Sequence, residues 1–259
     1  MEYPDIIYTK EGHIAVITLN RPDRLNAISE AMIDSVQRAL QDARGDDEIR
    51  VIIVTGAGRG FCAGLDLKAA MDIVQPTEGR ATGQSLQLPS IAMGIDKPII
   101  ASINGAAIGW GLELALLCDI RIAAETAKIG DLHVNRSVIA DNGGLYFLPR
   151  LVGWGKASEL YFSGQMIDGT EAERIGLVNK AVPLEQLEAV TREMATNIAK
   201  QAPLAVQLGK RAMRDGLSSD LKAVQDHSFL ILGILFQTED FKEATTAFIE
   251  RREPDFKAR

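Results

Sequence analysis

Apolar and polar positions along the chain predict strands and helices that follow one another. Residues 6–19 show the pattern of two short strands joined by a Glu-Gly turn, and residues 51–58 (VIIVTGAG) form a buried strand that ends in glycines. Residues 30–44 carry apolar side chains at helical spacing behind Ser29, which can cap a helix. This alternation favours an α/β architecture with helices packed against sheets.

A second unit of the same kind follows. Residues 97–105 (KPIIASING) predict a strand and a turn, and residues 111–119 (GLELALLCD) are helical by composition. From about residue 180 the periodicity is helical throughout, with Pro203 near the start of one helix and Gly216 as a stop. We therefore expect an α/β core over residues 1–195 and a helical region over residues 196–259.

Composition and charge limit the class of protein. The chain of 259 residues is 46% hydrophobic and 24% charged, which is typical of a globular protein in water. A net charge of −7 without a basic block argues against nucleic acid and anionic membranes as partners. No apolar run reaches the ~18 residues of a membrane span. The chain starts directly with strand-like alternation, so we expect no signal peptide and a cytoplasmic location.

Metal, disulfide and serine-nucleophile chemistry have no support in the sequence. Cys62 and Cys118 lie in apolar contexts without the spacing of metal ligands, and predict buried free thiols. The three histidines are widely separated, so no metal site is expected. A Gly-x-Ser-x-Gly elbow is also absent from the sequence. These absences are compatible with chemistry carried by proton transfer.

Two glycine turns bring backbone amides to the start of a predicted helix. They are FCAGLD, residues 61–66, and GAAIGWG, residues 105–111. Two converging turns can hold an oxyanion, because the first N–H groups of a helix have no partner within it. The alternative is that the glycines only permit tight strand-to-helix turns, since their φ angle is unrestricted. Neither turn matches a phosphate-binding loop.

Five longer segments of the chain form a recognisable series: ITLNRPDRLNAIS, VIIVTGAGRGFCAGLDL, KPIIASINGAAIGWGLELALLCDIRIA, DNGGLYFLPRLVGWGKASELYFSGQMIDGTEAERIGLVNKAV and AFIERREPDFK. In these segments the chain resembles the enoyl-CoA hydratase/isomerase (crotonase) superfamily, and the resemblance covers essentially the whole chain in order. It implies a spiral of repeated ββα units, a C-terminal helical trimerisation region, an acyl-CoA thioester substrate, and a homo-oligomer of one trimer or two. Coenzyme A would be part of the substrate, and no further cofactor is implied.

The resemblance also implies where the thioester and the CoA moiety bind. The oxyanion donors would be the backbone N–H groups of Ala63 and Trp110, and the Trp110 indole would shape the acyl pocket. Arg24 and Arg251, the latter from a neighbouring subunit, are candidates for the CoA phosphates. The alternative is that both arginines are solvated surface residues. The residues implied to line the CoA site are Arg24, Leu25, Ala27, Ala63, Asp66, Leu67 and Arg251.

Three polar residues are implied to carry the chemistry. Hydratases of this superfamily use two glutamates around one water; the first corresponds to Glu113, and the second, twenty residues later, is His133 in this chain. A Glu–His pair can also exchange protons near neutral pH. The departure makes us expect a branched, cyclic or dienoyl acyl group. Asp141 corresponds to the aspartate of isomerases in the superfamily.

Each of these residues has a structural alternative. Glu113 could satisfy a buried backbone donor, His133 could be a hydrogen-bonded core histidine, and Asp141 could cap the following helix. We interpret the chain as an enzyme that hydrates, dehydrates or isomerises an unsaturated acyl-CoA. Two other hypotheses stay open: a hydrolase of a β-diketone carbon–carbon bond or of a thioester, using His133 with Asp141, and a non-catalytic acyl-CoA-binding oligomer.

Overall fold

The computed structural model describes residues 2–66 and 87–259. Its strands are β1 Ile6–Glu11, β2 Ile14–Leu19, β3 Val51–Gly56, β4 Gly60–Cys62, β5 Ile99–Ile103, β6 Ala106–Ile108, β7 Ile120–Ala124, β8 Ile129–Gly130 and β9 Lys180–Val182. Its α-helices are α1 Glu30–Gly45, α2 Gln87–Met93, α3 Trp110–Leu116, α4 Gly144–Ser163, α5 Gly169–Arg174, α6 Leu184–Ala199, α7 Pro203–Gly216, α8 Leu221–Leu235 and α9 Glu239–Glu250.

Two sheets organise the described part of the chain. The larger sheet has six strands in the order β1-β2-β3-β5-β7-β9, and the smaller has three in the order β4-β6-β8. Only the β1–β2 pair is antiparallel among these strands. Successive units thus give one strand to each sheet and then continue into a helix, as in β5–β6–α3 and β7–β8–α4. The predicted α/β architecture is confirmed.

The central strands are buried on both faces, which explains their continuous apolar runs. Residues 51–54 of β3 and residues 99–103 of β5 are buried along their whole length. Helix α6 packs against β2, β3, β5 and β7 on one face of the larger sheet. Cys62 and Cys118 are buried in this core as free thiols.

The predicted helical region of residues 196–259 contains the end of α6 and the helices α7, α8 and α9. The predicted boundary between residues 195 and 196 falls inside α6, which runs to Ala199, and the next helix begins at Pro203. Lys210 on α7 is buried, and its Nζ lies 2.5 Å from Asp119 Oδ2, which ties this helix to the loop before β7. No helix in residues 2–66 and 87–259 has both the length and the apolar character needed to cross a bilayer.

Helices α8 and α9 expose large apolar side chains. Phe248 is 86% exposed and Leu221 is 83% exposed, and neighbours on the same helices are more than half exposed. So many exposed large apolar side chains on two neighbouring helices of the sequence are unusual on a protein that stays monomeric. The further exposed apolar residues of α8 and α9 include Phe229, Leu230, Ile234 and Ile249.

Candidate active site

The two glycine turns predicted from the sequence lie directly against each other. Gly64 has a φ of 90°, and a Cβ atom added to it would lie 2.8 Å from the Ile108 carbonyl oxygen and 3.7 Å from the Trp110 amide nitrogen. A side chain is therefore excluded both by the backbone conformation and by the lack of space. The structure brings the backbones of residues 61–66 and 105–111 into contact, as the sequence predicts.

The amide predicted at Ala63 is already occupied. Its N–H donates to the Leu25 carbonyl oxygen at 3.0 Å, so this hydrogen cannot point at a ligand. The amide two residues later behaves differently. Ile28 forms a parallel bridge with Leu65, donating to the Gly64 carbonyl and accepting from the Asp66 amide. The prediction for Ala63 is therefore corrected. The bridge uses the Gly64 carbonyl and the Asp66 amide, so the amide of this turn that has no acceptor among the described residues is that of Leu65.

Within residues 2–66 and 87–259, neither the Leu65 amide nor the Trp110 amide has a hydrogen-bond acceptor. Trp110 is the first residue of α3, where an intrahelical acceptor does not exist. Its indole is only 8% exposed and turns toward the apolar interior, where it lines a small cavity with residues of β2, α1 and α2. The side chain and the amide of Trp110 thus have separate environments.

Glu113 lies on the first turn of α3 and is fully buried. Its Oε1 accepts hydrogen bonds from the backbone N–H groups of Asn142, at 2.8 Å, and Gly144, at 2.9 Å. Its Oε2 has no hydrogen-bond partner in the described part of the chain. Oε1 therefore anchors the side chain at the start of α4, which is the role of satisfying buried backbone donors considered above. Oε2 remains available for chemistry.

His133 follows β8 and faces this available oxygen. Its Nε2 lies 3.6 Å from Glu113 Oε2, and its Nδ1 lies 2.7 Å from Asp131 Oδ1. The same oxygen of Asp131 accepts the backbone N–H of His133 at 3.2 Å. Asp131 is 1% exposed and was not predicted as a site residue, although the Asp-Leu-His spacing was visible in the sequence. The structure therefore forms a continuous Asp131–His133–Glu113 array.

The pKa values of the two facing groups are both raised. Burial raises the pKa of Glu113 to about 7, although the amides of Gly144 and Asn142 stabilise its carboxylate. Burial by itself lowers the pKa of His133, but the hydrogen bond and negative charge of Asp131, with the charges of Glu113 and Asp141, produce a net increase. Groups with raised affinity for protons that face each other near neutral pH are suited to exchanging one.

Asp141 has a more peripheral position than predicted. It is exposed, and its Oδ1 accepts a hydrogen bond from Asn142 Nδ2 at 2.8 Å. Helix α4 is preceded by Gly143 at its N-cap, without a side-chain cap, so the predicted capping role is not observed. In the described structure His133 pairs with Asp131 and Glu113, and Asp141 forms no ion pair with it. His133 and Asp141, the pair of the hydrolase hypothesis, therefore have no direct ion pair in the described structure, although the charge of Asp141 acts on His133.

The residues predicted at the CoA site lie around the turn of residues 61–66, with the exceptions of Leu67 and Arg251. Leu25 and Ala27 contribute carbonyl oxygens that accept from the Ala63 amide and from Arg21 Nη1. Arg21 Nη2 also lies 3.0 Å from Asp66 Oδ2, a link between the two motifs that the sequence analysis did not identify. Leu67 lies outside the described residues.

Arg24 and Arg251 are both exposed. Within the described ranges neither guanidinium forms an ion pair, although many other arginines do. Arg24 is adjacent to the loop that holds Ala63, whereas Arg251 follows α9 at the other end of the chain. The structure therefore places only Arg24 beside the two turns within one chain.

No group of three or more His, Cys, Asp or Glu side chains in residues 2–66 and 87–259 is arranged to hold a metal ion. The array of Asp131, His133 and Glu113 runs in a line, with one ring between two carboxylates. The arrangement is suited to moving a proton along that line.

Comparison with known proteins gives matches over almost the full length of the chain. The profile of the family described as enoyl-CoA hydratase/isomerase matches residues 9–259. A short-chain-enoyl-CoA hydratase of Clostridium acetobutylicum is 39% identical over 260 residues, which cover 97% of each chain. The (E)-benzylidenesuccinyl-CoA hydratase of Thauera aromatica is 40% identical over 252 residues, 95% of this chain and 96% of the relative. A crystal structure of an enoyl-CoA hydratase subunit from Geobacillus kaustophilus has a TM-score of 0.93 at 34% identity, with 100% of both chains covered.

The fold and the matches over almost the full length define the class of protein. The chain belongs to the enoyl-CoA hydratase/isomerase family of enzymes. The crotonase resemblance predicted from the sequence is thereby confirmed.

Proposed function

We propose that this enzyme adds water reversibly to the double bond of a 2-enoyl-CoA thioester. The observation that carries the proposal is the pairing of Glu113 Oε2 with His133 Nε2 across 3.6 Å, with Oε2 buried and unpartnered among the described residues. Two atoms at this separation can both contact one water molecule. The pair thus corresponds to the two carboxylates that share one water in the family.

The hydration step follows from these positions. Glu113 Oε2 takes one proton of the water as its oxygen bonds to the β-carbon, and the double-bond electrons move onto the thioester oxygen. The protonated His133 then gives its Nε2 proton to the α-carbon, and the enolate collapses to the thioester. Glu113 and His133 together carry one shared proton throughout: it starts on His133 and ends on Glu113. Its transfer from Glu113 back to His133 restores the starting state.

The enolate oxygen is proposed to lie between the amides of Leu65 and Trp110. Both are without acceptors in the described structure, and Gly64 packs on the turn that carries Trp110. Each preorganised donor aimed at such an oxygen lowers the barrier by about 2.7–4 kcal/mol. Arg24 and, from a neighbouring copy, Arg251 are proposed to bind the CoA phosphates, because their guanidinium groups are exposed and free of ion pairs in the described structure.

The acyl group is proposed to be bulkier than a straight short chain. The imidazole of His133 stands where the family pattern has a glutamate, and its ring has a different reach and charge. The similar proteins named above include one hydratase of short-chain enoyl-CoA and one of (E)-benzylidenesuccinyl-CoA, whose name describes a branched aromatic acyl group. A branched, cyclic or dienoyl substrate is the class that these observations favour.

The test is turnover of the purified protein with straight, branched and aromatic enoyl-CoA thioesters. Loss of the enoyl absorbance and appearance of the 3-hydroxyacyl product identify hydration, and a shifted double bond identifies isomerisation. The higher kcat/KM is expected for the branched or aromatic thioesters. Absence of hydration across the panel, with intact folding, would overturn the proposal, and preference for crotonyl-CoA would overturn only the substrate class.

Assembly of copies is proposed to cover the apolar surface of α8 and α9. The side chains of Leu221, Phe229 and Phe248 are each more than 60% exposed in one chain, and burial of such surface drives association. Native mass spectrometry is expected to give a trimer or a dimer of trimers. A monomer at micromolar concentration would contradict this proposal without affecting the hydration chemistry.

A further inference from the structure

We propose that Asp131 is a positioning residue that keeps the shared proton of the Glu113–His133 pair on His133. The inference rests on the hydration function proposed above and adds the residue that assigns the acid and base roles. The family pattern recognised in the sequence has two catalytic carboxylates, at positions 113 and 133, and gives no role to Asp131. It enters the site only through the geometry of the structure.

The contacts of Asp131 determine which nitrogen of His133 faces Glu113. Its Oδ1 accepts the His133 backbone N–H at 3.2 Å and lies 2.7 Å from Nδ1. An ionised carboxylate only accepts hydrogen bonds, so Nδ1 carries a proton and donates it to Asp131. The hydrogen bond fixes the ring orientation and leaves Nε2 toward Glu113 Oε2 at 3.6 Å. The same logic operates when an aspartate orients the histidine of a catalytic triad.

Asp131 also stabilises the charged ring. Three acidic groups act on His133: Asp131 from its own segment, Glu113 from α3, and Asp141 from the loop before α4. Among them only Asp131 is hydrogen-bonded to the ring, and it is 1% exposed, so its charge is poorly screened by solvent. Burial alone would favour the neutral ring. Removing the charge of Asp131 would therefore move the shared proton toward Glu113.

The location of this proton matters because the substrate is held in one direction. When the two amides bind the thioester oxygen, they determine which of the α- and β-carbons lies next to His133 and which lies next to Glu113. The acid must face the α-carbon and the base must face the water at the β-carbon. With the proton on Glu113 the two roles would be exchanged, and each group would face the wrong carbon.

Nitrogen-15 NMR of histidine-labelled protein tests the proton assignment without any substrate. The chain has three histidines, His13, His133 and His227. The signals that disappear in His133→Gln are those of His133. In the unmodified protein Nδ1 is expected to stay protonated while Nε2 titrates above the ordinary midpoint of 6.5. Asp131→Asn keeps an acceptor oxygen but removes the charge, so the midpoint should fall. A midpoint below 6.5 in the unmodified protein overturns the inference, even if the variant does not fold.

Kinetics provide a second readout. The basic limb of the kcat profile reports loss of the His133 proton, so Asp131→Asn should move this limb to lower pH. We expect kcat to fall by at least about 10- to 100-fold, the range for partners that orient a metal-bound imidazole, with little change in KM. Asp168→Asn is the matched control: Asp168 caps α5 through the Glu171 amide, and asparagine caps equally well.

The outcomes separate this inference from the proposed function. An unchanged basic limb and unchanged Nε2 midpoint in Asp131→Asn overturn the role of Asp131 while hydration stands. The expected NMR titration in a protein that hydrates no enoyl-CoA supports the proton assignment and overturns the hydration function. A loss of kcat in Asp168→Asn equal to that in Asp131→Asn would assign the effect to stability and overturn the inference.

Discussion

The two sides of the candidate site are built from different parts of the chain. On one side, the turns around Gly64 and Gly109 present main-chain amides from Leu65 and Trp110. On the other side, Glu113, His133 and Asp131 present side chains in a hydrogen-bonded or closely facing array. The first side depends on the path of the backbone, and the second depends on residue type and burial.

The two sides therefore differ in how well they tolerate amino-acid substitution. The amide at Trp110 does not depend on the side chain, because every residue except proline has a backbone N–H. The side-chain half has no such tolerance, since a change of residue changes the group that moves the proton. The following predictions test the contrast, beginning with the largest expected effect.

Replacing the buried carboxylate should abolish most activity. Glu113→Gln keeps an oxygen that can accept from the Asn142 and Gly144 amides, but its amide cannot take the water proton. We expect kcat for hydration to fall by about 10²- to 10⁴-fold. Glu171→Gln, at an exposed ion pair with Arg174, is the control and should retain activity. Equal turnover of Glu113→Gln and the unmodified enzyme would remove Glu113 from the mechanism.

A methyl group in the backbone half should have a somewhat smaller effect. In Gly64→Ala the added Cβ would lie 2.8 Å from the Ile108 carbonyl oxygen, so the two turns must separate. Loss of one aligned donor lowers kcat by about 10²- to 10³-fold. Gly12→Ala is the control, because Gly12 also has a positive φ, of 56°, but has open space around it. Steady-state kinetics with both variants separate misalignment of the site from backbone strain, and full activity of Gly64→Ala would contradict the oxyanion assignment.

The buried carboxylate should also make stability depend on pH. Burial raises the folded-state pKa of Glu113 from 4.5 to about 7. The stabilisation from its bound proton is therefore complete below about pH 4.5 and is lost as the pH rises through about 7. His133 acts with the same sign, because its folded-state pKa is raised as well.

Glutamine cannot ionise, so the free energy of unfolding of Glu113→Gln should match that of the unmodified protein at pH 4.5. At pH 8 the variant should be more stable by up to about 3 kcal/mol. Urea unfolding at one fixed protein concentration measures this difference at the two pH values. A gap that closes, rather than opens, toward pH 8 would show that Glu113 is ionised at low pH in the folded protein.

The smallest effect is expected at the exposed aspartate. Asp141 acts on Glu113 and His133 through its charge, and it is hydrogen-bonded to Asn142. Because an exposed charge is screened by water, Asp141→Asn should change kcat for hydration by no more than about threefold. Kinetics with a 2-enoyl-CoA give the measurement. A collapse of activity in this variant would instead place Asp141 on the substrate, as the isomerase comparison in the sequence suggests.

Much of the fold follows from local patterns. The apolar runs of β3 and β5, the cap at Ser29 and the stop near Gly216 all appear where the sequence predicts them. The boundary at residue 195 stays a prediction, and it lies inside α6. The sequence does not separate α6 from the later helices because their periodicity is the same, whereas in the described structure α6 packs on the larger sheet.

The site was predictable in part. Glu113, His133 and Trp110 stand out because of their residue types and their positions in the family pattern. Asp131 was missed because an aspartate two residues before a histidine has no fixed meaning in sequence. The role of Asp141 stays a prediction, because its exposure depends on how the loop before α4 packs, which the sequence does not show.

The sequence by itself determined the alternation of strands and helices, the glycines that permit the two turns, and the presence of a histidine at position 133. Those features are properties of single residues and their spacing. The tertiary structure decided that the Ala63 amide is taken by Leu25, that Leu65 is left free among the described residues, and that Asp131 holds the ring of His133. Hydrogen-bond pairing between distant segments and burial in a common interior decide these points, and neither is encoded in any short stretch of the chain.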